Sequence, residues 1–93
     1  MKIPIKIKIL GFDYDIVLDD LIKRGGNEYT GTHSQWEQKI FISNACHKQQ
    51  QEESLIHEIL EAINKANDLR LEHPTLSTLS TCFYQVLKDN QLI

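Results

Sequence analysis

The sequence predicts an α+β domain in which a small antiparallel sheet of about four strands is followed by two packed helices. The first 44 residues alternate apolar and polar side chains with a period of two, which is typical of half-buried strands. From about residue 48 the apolar residues recur every three or four positions, which is typical of amphipathic helices. A chain of 93 residues has room for one such domain, which we expect to span residues 1–93.

The N-terminal residues predict a hairpin of two strands. Isoleucines occupy alternate positions of residues 2–9, with lysines and a proline between them, as in a half-buried strand at the edge of a sheet. A second alternating segment covers residues 12–19, and Leu10-Gly11 forms the tight connection. We expect residues 19–27 to be a loop, because the pair of adjacent glycines within it favours a turn.

Two further strands are predicted at about residues 28–33 and 37–43. His33 ends the first of them, and isoleucines alternate with other residues in the second. Trp36 lies in the turn between the two strands. We expect its ring to cover the small core, because aromatic side chains contribute much of the buried area of a domain.

The second half of the chain predicts two helices, the first over residues 48–67 and the second over residues 74–90. Pro74 supports the predicted start of the second helix, since proline is favoured at the first helical position. Glu52 and Glu53 are expected to lie in a solvated first turn. The apolar stripes comprise Leu55, Ile59, Ala62, Ile63 and Ala66 in the first helix, and Leu76, Leu79, Phe83, Val86 and Leu87 in the second.

The composition excludes several classes of protein. A net charge of −3 argues against nucleic-acid binding, which relies on a basic surface. The sequence has no run of about 18 apolar residues that could span a membrane, and its N-terminus lacks the apolar region of a secretory signal. Cys46 and Cys82 are far apart and form no paired motif, so we expect two reduced, buried thiols in a cytoplasmic protein.

One group of residues in the first helix suggests metal chemistry. His57 and Glu61 are four residues apart, so their side chains lie on the same side of the helix and can bind one ion. Imidazole nitrogen and carboxylate oxygen are both good zinc ligands. Glu58 follows His57 directly and flanks the same site. A carboxylate in that position could act as a general base toward a water activated by the metal.

A catalytic zinc site needs a third protein ligand, and His73 is the best candidate. It lies in the turn between the helices and approaches His57 if the second helix folds back on the first. His33 is a second candidate, either as a ligand or as a group lining the cleft, whereas His47 lies at the far end of the helix. Tyr84 could line the cleft and donate a hydrogen bond to a reaction oxyanion, or it could be a half-buried core tyrosine.

The stretch from His57 to Glu61 reads H-E-x-x-E, and it is preceded by Gly31-x-His33 and an Ile-Phe-Ile strand and followed by His73. This pattern resembles the zincin metallopeptidases, whose helix carries H-E-x-x-H, with a glutamate here in place of the second histidine. It looks most like the small zincin-like proteins of bacteriophages and prophages, and like the SprT-like and ImmA/IrrE-like families.

The resemblance covers about residues 28–87 and implies a minimal zincin-like fold. By the roles of the family, His57, Glu61 and His73 would hold Zn²⁺ and Glu58 would be the base, although Mn²⁺ or Fe²⁺ also suits this donor set. Residues 37–43 would bind a peptide backbone by strand addition. A phage-encoded protein of this kind would act in the cytoplasm of the host cell.

Simpler interpretations of the same residues stay open. The side of the helix that carries His57 and Glu61 could be a solvated polar face with an ordinary ion pair. His73 could be only a turn or capping residue before Pro74, and His33 only a surface residue. The sequence therefore supports two functions. One is a zinc peptidase acting on a peptide or protein. The other is a non-catalytic interaction or inhibitor protein that binds a host protein or a second copy of itself.

Overall fold

The computed structural model describes residues 1–20 and 30–93, which form a sheet followed by a hairpin of two helices. The predicted α+β class, with strands first and two packed helices after them, is confirmed. Most of the predicted loop, with Gly25-Gly26, and the first two residues of the predicted third strand lie outside the described residues. The elements are β1 (Lys6–Ile9), β2 (Phe12–Asp19), β3 (Gly31–Ser34), β4 (Lys39–Ser43), α1 (Lys48–Ala66) and α2 (His73–Asp89).

The sheet is mixed, with the strand order β1-β2-β4-β3. β1 pairs antiparallel with β2, and β3 pairs antiparallel with β4, as predicted. β2 and β4 run parallel, however, with Ile16 opposite Ile40 and Leu18 opposite Ile42, so the prediction of an antiparallel sheet is wrong for this central pair. Apolar alternation has the same period in parallel and antiparallel strands and therefore does not report their direction.

β4 lies in the interior of the sheet and not at its edge. Ile40 and Ile42 are fully buried on one face, and Phe41 is buried on the other. The prediction that residues 37–43 form an open edge for strand addition is wrong, because β4 is paired on both sides. The continuous apolar run Ile40-Phe41-Ile42 is the sequence signal of a strand covered on both faces. Among the described residues, β1 and β3 are the edge strands.

α1 lies between the sheet and α2 and forms the centre of the fold. It contacts β1, β3 and β4 on one side and α2 on the other. Both helices begin and end within one residue of their predicted bounds. The ring of His47 caps α1 by accepting a hydrogen bond from the backbone N–H of Gln49. The core between the sheet and α1 comprises Ile9, Tyr14, Ile40, Ile42, Leu55 and Ala62.

Several side chains that were expected to be buried are exposed. Trp36 is 99% exposed in the turn between β3 and β4, so it does not cover the core. β1 begins only at Lys6, and Ile5 is 86% exposed. Both cysteines are free, but Cys46 is only half-buried and Cys82 is exposed on the outer side of α2, so the prediction of two buried thiols is wrong. No helix within residues 1–20 or 30–93 is long and apolar enough to cross a membrane.

Candidate metal centre

The turn between the helices returns the chain so that the start of α2 lies beside the end of α1. The Asn64 side chain bonds the backbone of Leu71 twice, accepting from its N–H at 3.0 Å and donating to its carbonyl at 3.2 Å. Asp68 and Arg70 adopt positive φ within this turn, which reverses the chain over few residues. His73 is consequently the first residue of α2 and lies against the face of α1 that carries His57 and Glu61.

His57, Glu61 and His73 converge as the sequence predicts. Glu61 Oε1 lies 3.5 Å from His57 Nε2 and 3.4 Å from His73 Nδ1. Ligand atoms of the three side chains all lie within 4.8 Å of one another. The two imidazole rings meet edge to face, with centroids 5.1 Å apart. The arrangement therefore places one carboxylate oxygen and two imidazole nitrogens around a common point.

The oxygen at this point is buried and has no hydrogen-bond partner. Glu61 Oε1 is one of two such buried side-chain atoms in the described part of the chain, the other being the Ser54 hydroxyl. Neither His57 Nε2 nor His73 Nδ1 has the geometry of a hydrogen bond to Glu61 Oε1. Ligands about 2.05 Å from a tetrahedral Zn²⁺ are separated by about 3.3 Å, close to the distances of 3.5 and 3.4 Å from Glu61 Oε1 to the two imidazole nitrogens. The residues therefore fit a divalent cation, because a buried carboxylate oxygen needs a partner.

The outer nitrogen of each histidine contacts a serine of α2. His57 Nδ1 lies 3.3 Å from Ser80 Oγ, and His73 Nε2 lies 3.4 Å from Ser77 Oγ. Metal-binding histidines generally use their second nitrogen in a hydrogen bond that fixes the orientation of the ring. Neither serine was predicted from the sequence, where their only signal is that they lie three residues apart on the helix that begins at His73.

Glu58 faces β3 and is held there by His33. His33 Nδ1 lies 2.9 Å from Glu58 Oε1, and both side chains are largely buried. His33 therefore contacts Glu58, the predicted base, and is not one of the three residues whose ligand atoms converge. β3 approaches α1 closely at Gly31, where an added Cβ would lie 3.3 Å from Glu58 Cγ. A glycine at this position thus leaves space for the Glu58 side chain between the strand and the helix.

A cavity of about 290 Å³ joins the predicted base to two of the predicted ligands. Glu58, His57 and His73 all contribute to its wall, whereas Glu61 does not line it and has its Oε1 atom buried. The cavity is thus open to solvent next to the His57-Glu61-His73 group. The complete lining is Thr30, Gly31, Gln50, Glu53, His57, Glu58, His73 and Ser77.

Tyr84 lies outside this cavity and is bonded to another glutamate. Its hydroxyl donates to Glu52 Oε1 at 2.6 Å, and its ring lines a neighbouring cavity. Burial and the hydrogen bond to the Glu52 carboxylate raise the pKa of Tyr84 to about 12. The structure therefore does not bring Tyr84 to the predicted cleft, and the alternative of a half-buried structural tyrosine describes its surroundings.

Glu52 itself is buried, contrary to the prediction of a solvated first turn. It is 2% exposed and also pairs with the N-terminal ammonium at 3.2 Å and with Lys88 at 3.4 Å. Burial alone would raise the pKa of the Glu52 carboxyl. The hydrogen bonds from Tyr84, the N-terminus and Lys88 outweigh that effect and hold its pKa below the usual value.

Fold and site together define an α+β protein with a candidate His-Glu-His cation site at the turn of a helix hairpin. Comparisons of the chain with protein-family models, with curated proteins and with solved structures found no match.

Proposed function

We propose that this protein is a metal-dependent hydrolase, and specifically a zinc peptidase of minimal zincin-like design. His57, Glu61 and His73 hold the ion, and Glu58 is the general base. The observation that carries the proposal is the buried Glu61 Oε1 atom, which has no hydrogen-bond partner and lies 3.4 and 3.5 Å from two imidazole nitrogens. Zinc enzymes commonly combine three protein ligands of these types with an open position, and the adjoining cavity provides that opening.

A bound Zn²⁺ would supply Lewis acidity and lower the pKa of a water in the cavity to about 7. Glu58 would then accept a proton from that water. His33 Nδ1 donates to Glu58 Oε1 and holds the carboxylate toward the cavity. Glu58 Oε2 makes no hydrogen bond to any described residue and is left as the acceptor. Mn²⁺ and Fe²⁺ are alternative ions, because two imidazoles and one carboxylate suit each of them.

The substrate class follows from the position of β3. Among the described residues β3 is an edge strand, and Gly31 and the preceding Thr30 form part of the cavity wall. An extended peptide that paired with this edge would carry its backbone across the cavity mouth. We therefore assign peptides or proteins as the substrate class. The free thiols of Cys46 and Cys82 support a cytoplasmic location, where disulfides are rare.

Metal analysis tests the first part of the proposal. We expect the protein, purified without metal and reloaded, to retain about one equivalent of Zn²⁺, Mn²⁺ or Fe²⁺. His57→Ala and Glu61→Gln should lose that metal. His47→Ala should keep it, because His47 caps α1 away from the site. Retention of less than about a tenth of an equivalent by the wild-type protein would refute the metal site.

Glu58→Gln tests the second part. This variant should bind metal like the wild-type protein, since Glu58 is not among the three ligand residues. It should lose peptidase activity by about 100-fold or more, because an amide cannot accept the proton. Activity on a fluorogenic peptide library measures the effect. An unchanged rate in Glu58→Gln would contradict the assigned role of Glu58.

A non-catalytic interaction protein is the second candidate, and the outer face of α2 favours it. Leu79, Phe83 and Val86 follow helical spacing and are 37%, 50% and 46% exposed. Contiguous exposed apolar side chains often mark a site of association, here with a second copy or with another protein. Under this alternative, Phe83→Glu lowers self-association in sedimentation equilibrium, whereas the double variant His57→Ala, Glu58→Ala leaves it unchanged.

A further inference from the structure

We propose that Ser80 and Glu53 are positioning residues that fix the tautomer of His57 and so prepare its Nε2 atom to bind the metal. This inference rests on the proposed function, because it assigns roles to residues behind the same site. It depends on a chain of three side chains that runs from α1 to α2 and back to α1, through Glu53, Ser80 and His57.

The distances show that Ser80 connects the other two side chains. Ser80 Oγ lies 2.6 Å from Glu53 Oε1 and 3.3 Å from His57 Nδ1. It also lies 3.1 Å from the carbonyl oxygen of Ser77. Ser80 is fully buried, so bulk water does not compete for its hydroxyl group. The Thr81 hydroxyl reaches the same Glu53 oxygen at 3.4 Å and helps to hold the carboxylate.

The count of hydrogens then determines which atom donates. A serine hydroxyl carries one hydrogen and two lone pairs. The Glu53 carboxylate at 2.6 Å is the strongest acceptor in reach, so the Ser80 hydrogen points to it. The Ser80 oxygen is left to accept a hydrogen bond, and His57 Nδ1 must supply the hydrogen. His57 is thereby fixed as the tautomer with hydrogen on Nδ1.

The fixed tautomer has a direct consequence for the site. A neutral imidazole with hydrogen on Nδ1 has its lone pair on Nε2. That nitrogen is the one 3.5 Å from Glu61 Oε1. Two atoms that bear lone pairs therefore face each other across the candidate centre, and a cation between them satisfies both. Ser80 and Glu53 thus act on the metal only through the orientation and tautomer of His57.

Ser80→Ala tests the inference without any assay of activity. In the metal-free protein, nitrogen NMR of labelled histidine should show His57 with hydrogen on Nδ1 in the wild type. The variant should show hydrogen on Nε2 in a substantial fraction of molecules, because no acceptor then fixes Nδ1–H. Its affinity for Zn²⁺, measured by competition with a chromophoric chelator, should fall by about 10- to 100-fold.

Two further variants separate this role from a structural one. Thr78→Ala is the matched control, because Thr78 is a hydroxyl residue of α2 that bonds only the carbonyl of Pro74. It should keep the wild-type tautomer and affinity. Glu53→Ala removes the strongest acceptor, so the Ser80 hydrogen is divided between the Ser77 carbonyl at 3.1 Å and His57 Nδ1. This variant should therefore mix the tautomers and lower the affinity by about 10-fold. Since Glu53 is only half-buried, this variant decides the question if Ser80→Ala fails to fold.

Wild-type tautomer and affinity in both Ser80→Ala and Glu53→Ala would overturn the inference while leaving the metal site intact. A wild-type protein that binds no Zn²⁺ would instead refute the proposed function. In that case the spectra of the metal-free protein still decide the tautomer. The two failures are therefore distinguishable.

Discussion

Two glutamates of α1, Glu52 and Glu61, both face α2 but differ in every contact they make. Glu52, near the start of α1, receives three donors: the Tyr84 hydroxyl, the N-terminal ammonium and Lys88. We call these four groups the Glu52 cluster. Glu61, near the end of α1, has an oxygen that is buried without any hydrogen-bond partner. It lies beside His57 and His73, and these three residues are the Glu61 cluster.

This difference suggests separate roles for the two clusters, one in stability and the other in metal binding. A buried carboxylate is tolerated when donors surround it, and the Glu52 cluster supplies three of them, one from the N-terminus and two from α2. The Glu61 cluster places a buried carboxylate oxygen beside two imidazole nitrogens without a hydrogen bond to either, which costs free energy in the absence of a cation. We therefore expect the first cluster to hold the helices together and the second to complete its contacts only with a metal ion.

The largest expected effect is the stabilisation of the protein by metal. Zn²⁺ at about 1,000 times its dissociation constant should raise the free energy of unfolding by about 4 kcal/mol, because it binds the folded state. Thermal or urea unfolding with and without Zn²⁺ measures this increase. His57→Ala should remove the increase, whereas His47→Ala should retain it. Equal stabilisation of both variants would show that the ion binds elsewhere.

The next largest effect should come from Glu52→Gln. Loss of the charge weakens the contacts with Tyr84, Lys88 and the N-terminus, and we expect a loss of about 2–3 kcal/mol in the free energy of unfolding. Urea denaturation of the metal-free protein provides the measurement, with Glu37→Gln at an exposed glutamate as the control. A loss below about 0.5 kcal/mol would mean that the Glu52 cluster does not hold the helices together.

The Glu52 cluster should make the stability of the protein depend on pH in two ranges, an alkaline one set by Tyr84 and an acidic one set by Glu52. The folded-state pKa of Tyr84 is raised from 10.0 to about 12, so its contribution is complete below pH 10 and is lost between pH 10 and 12. The pKa of Glu52 is lowered from 4.5, so its contribution is complete above pH 4.5 and is lost as the pH falls through its folded value. Unfolding free energies across these windows measure both effects. Tyr84→Phe should flatten the alkaline window, and a loss of the same size in this variant would contradict the assignment.

Sequence reasoning identified the Glu61 cluster and missed the Glu52 cluster for a physical reason. His57 and Glu61 lie four residues apart on one helix, so their proximity follows from helix geometry. Glu52, by contrast, is buried by Met1, Tyr84 and Lys88, which are distant in sequence. Because the adjacent Glu53 is also charged, the sequence predicted a solvated first turn for both residues.

The same distinction applies to the fold. The strand and helix periods predicted the bounds of both helices and the β1–β2 hairpin. β2 and β4 are separated in the sequence by β3, and no period encodes the direction in which two such distant strands pair. The bounds of individual helices and hairpins can thus be predicted from this sequence, whereas contacts between distant segments cannot.

The smallest expected effect gives the sharpest comparison of the two glutamates. Glu61→Gln in the metal-free protein should lower the free energy of unfolding by no more than about 0.5 kcal/mol, because Glu61 Oε1 has no hydrogen bond to lose. The same substitution at Glu52 should cost several times more. Urea denaturation of both variants in the presence of a chelator makes the comparison, and addition of Zn²⁺ should then separate Glu61→Gln from the wild type. A loss in metal-free Glu61→Gln as large as that of Glu52→Gln would show that Glu61 is an ordinary partner of His57 and His73, and the case for a cation site would fail.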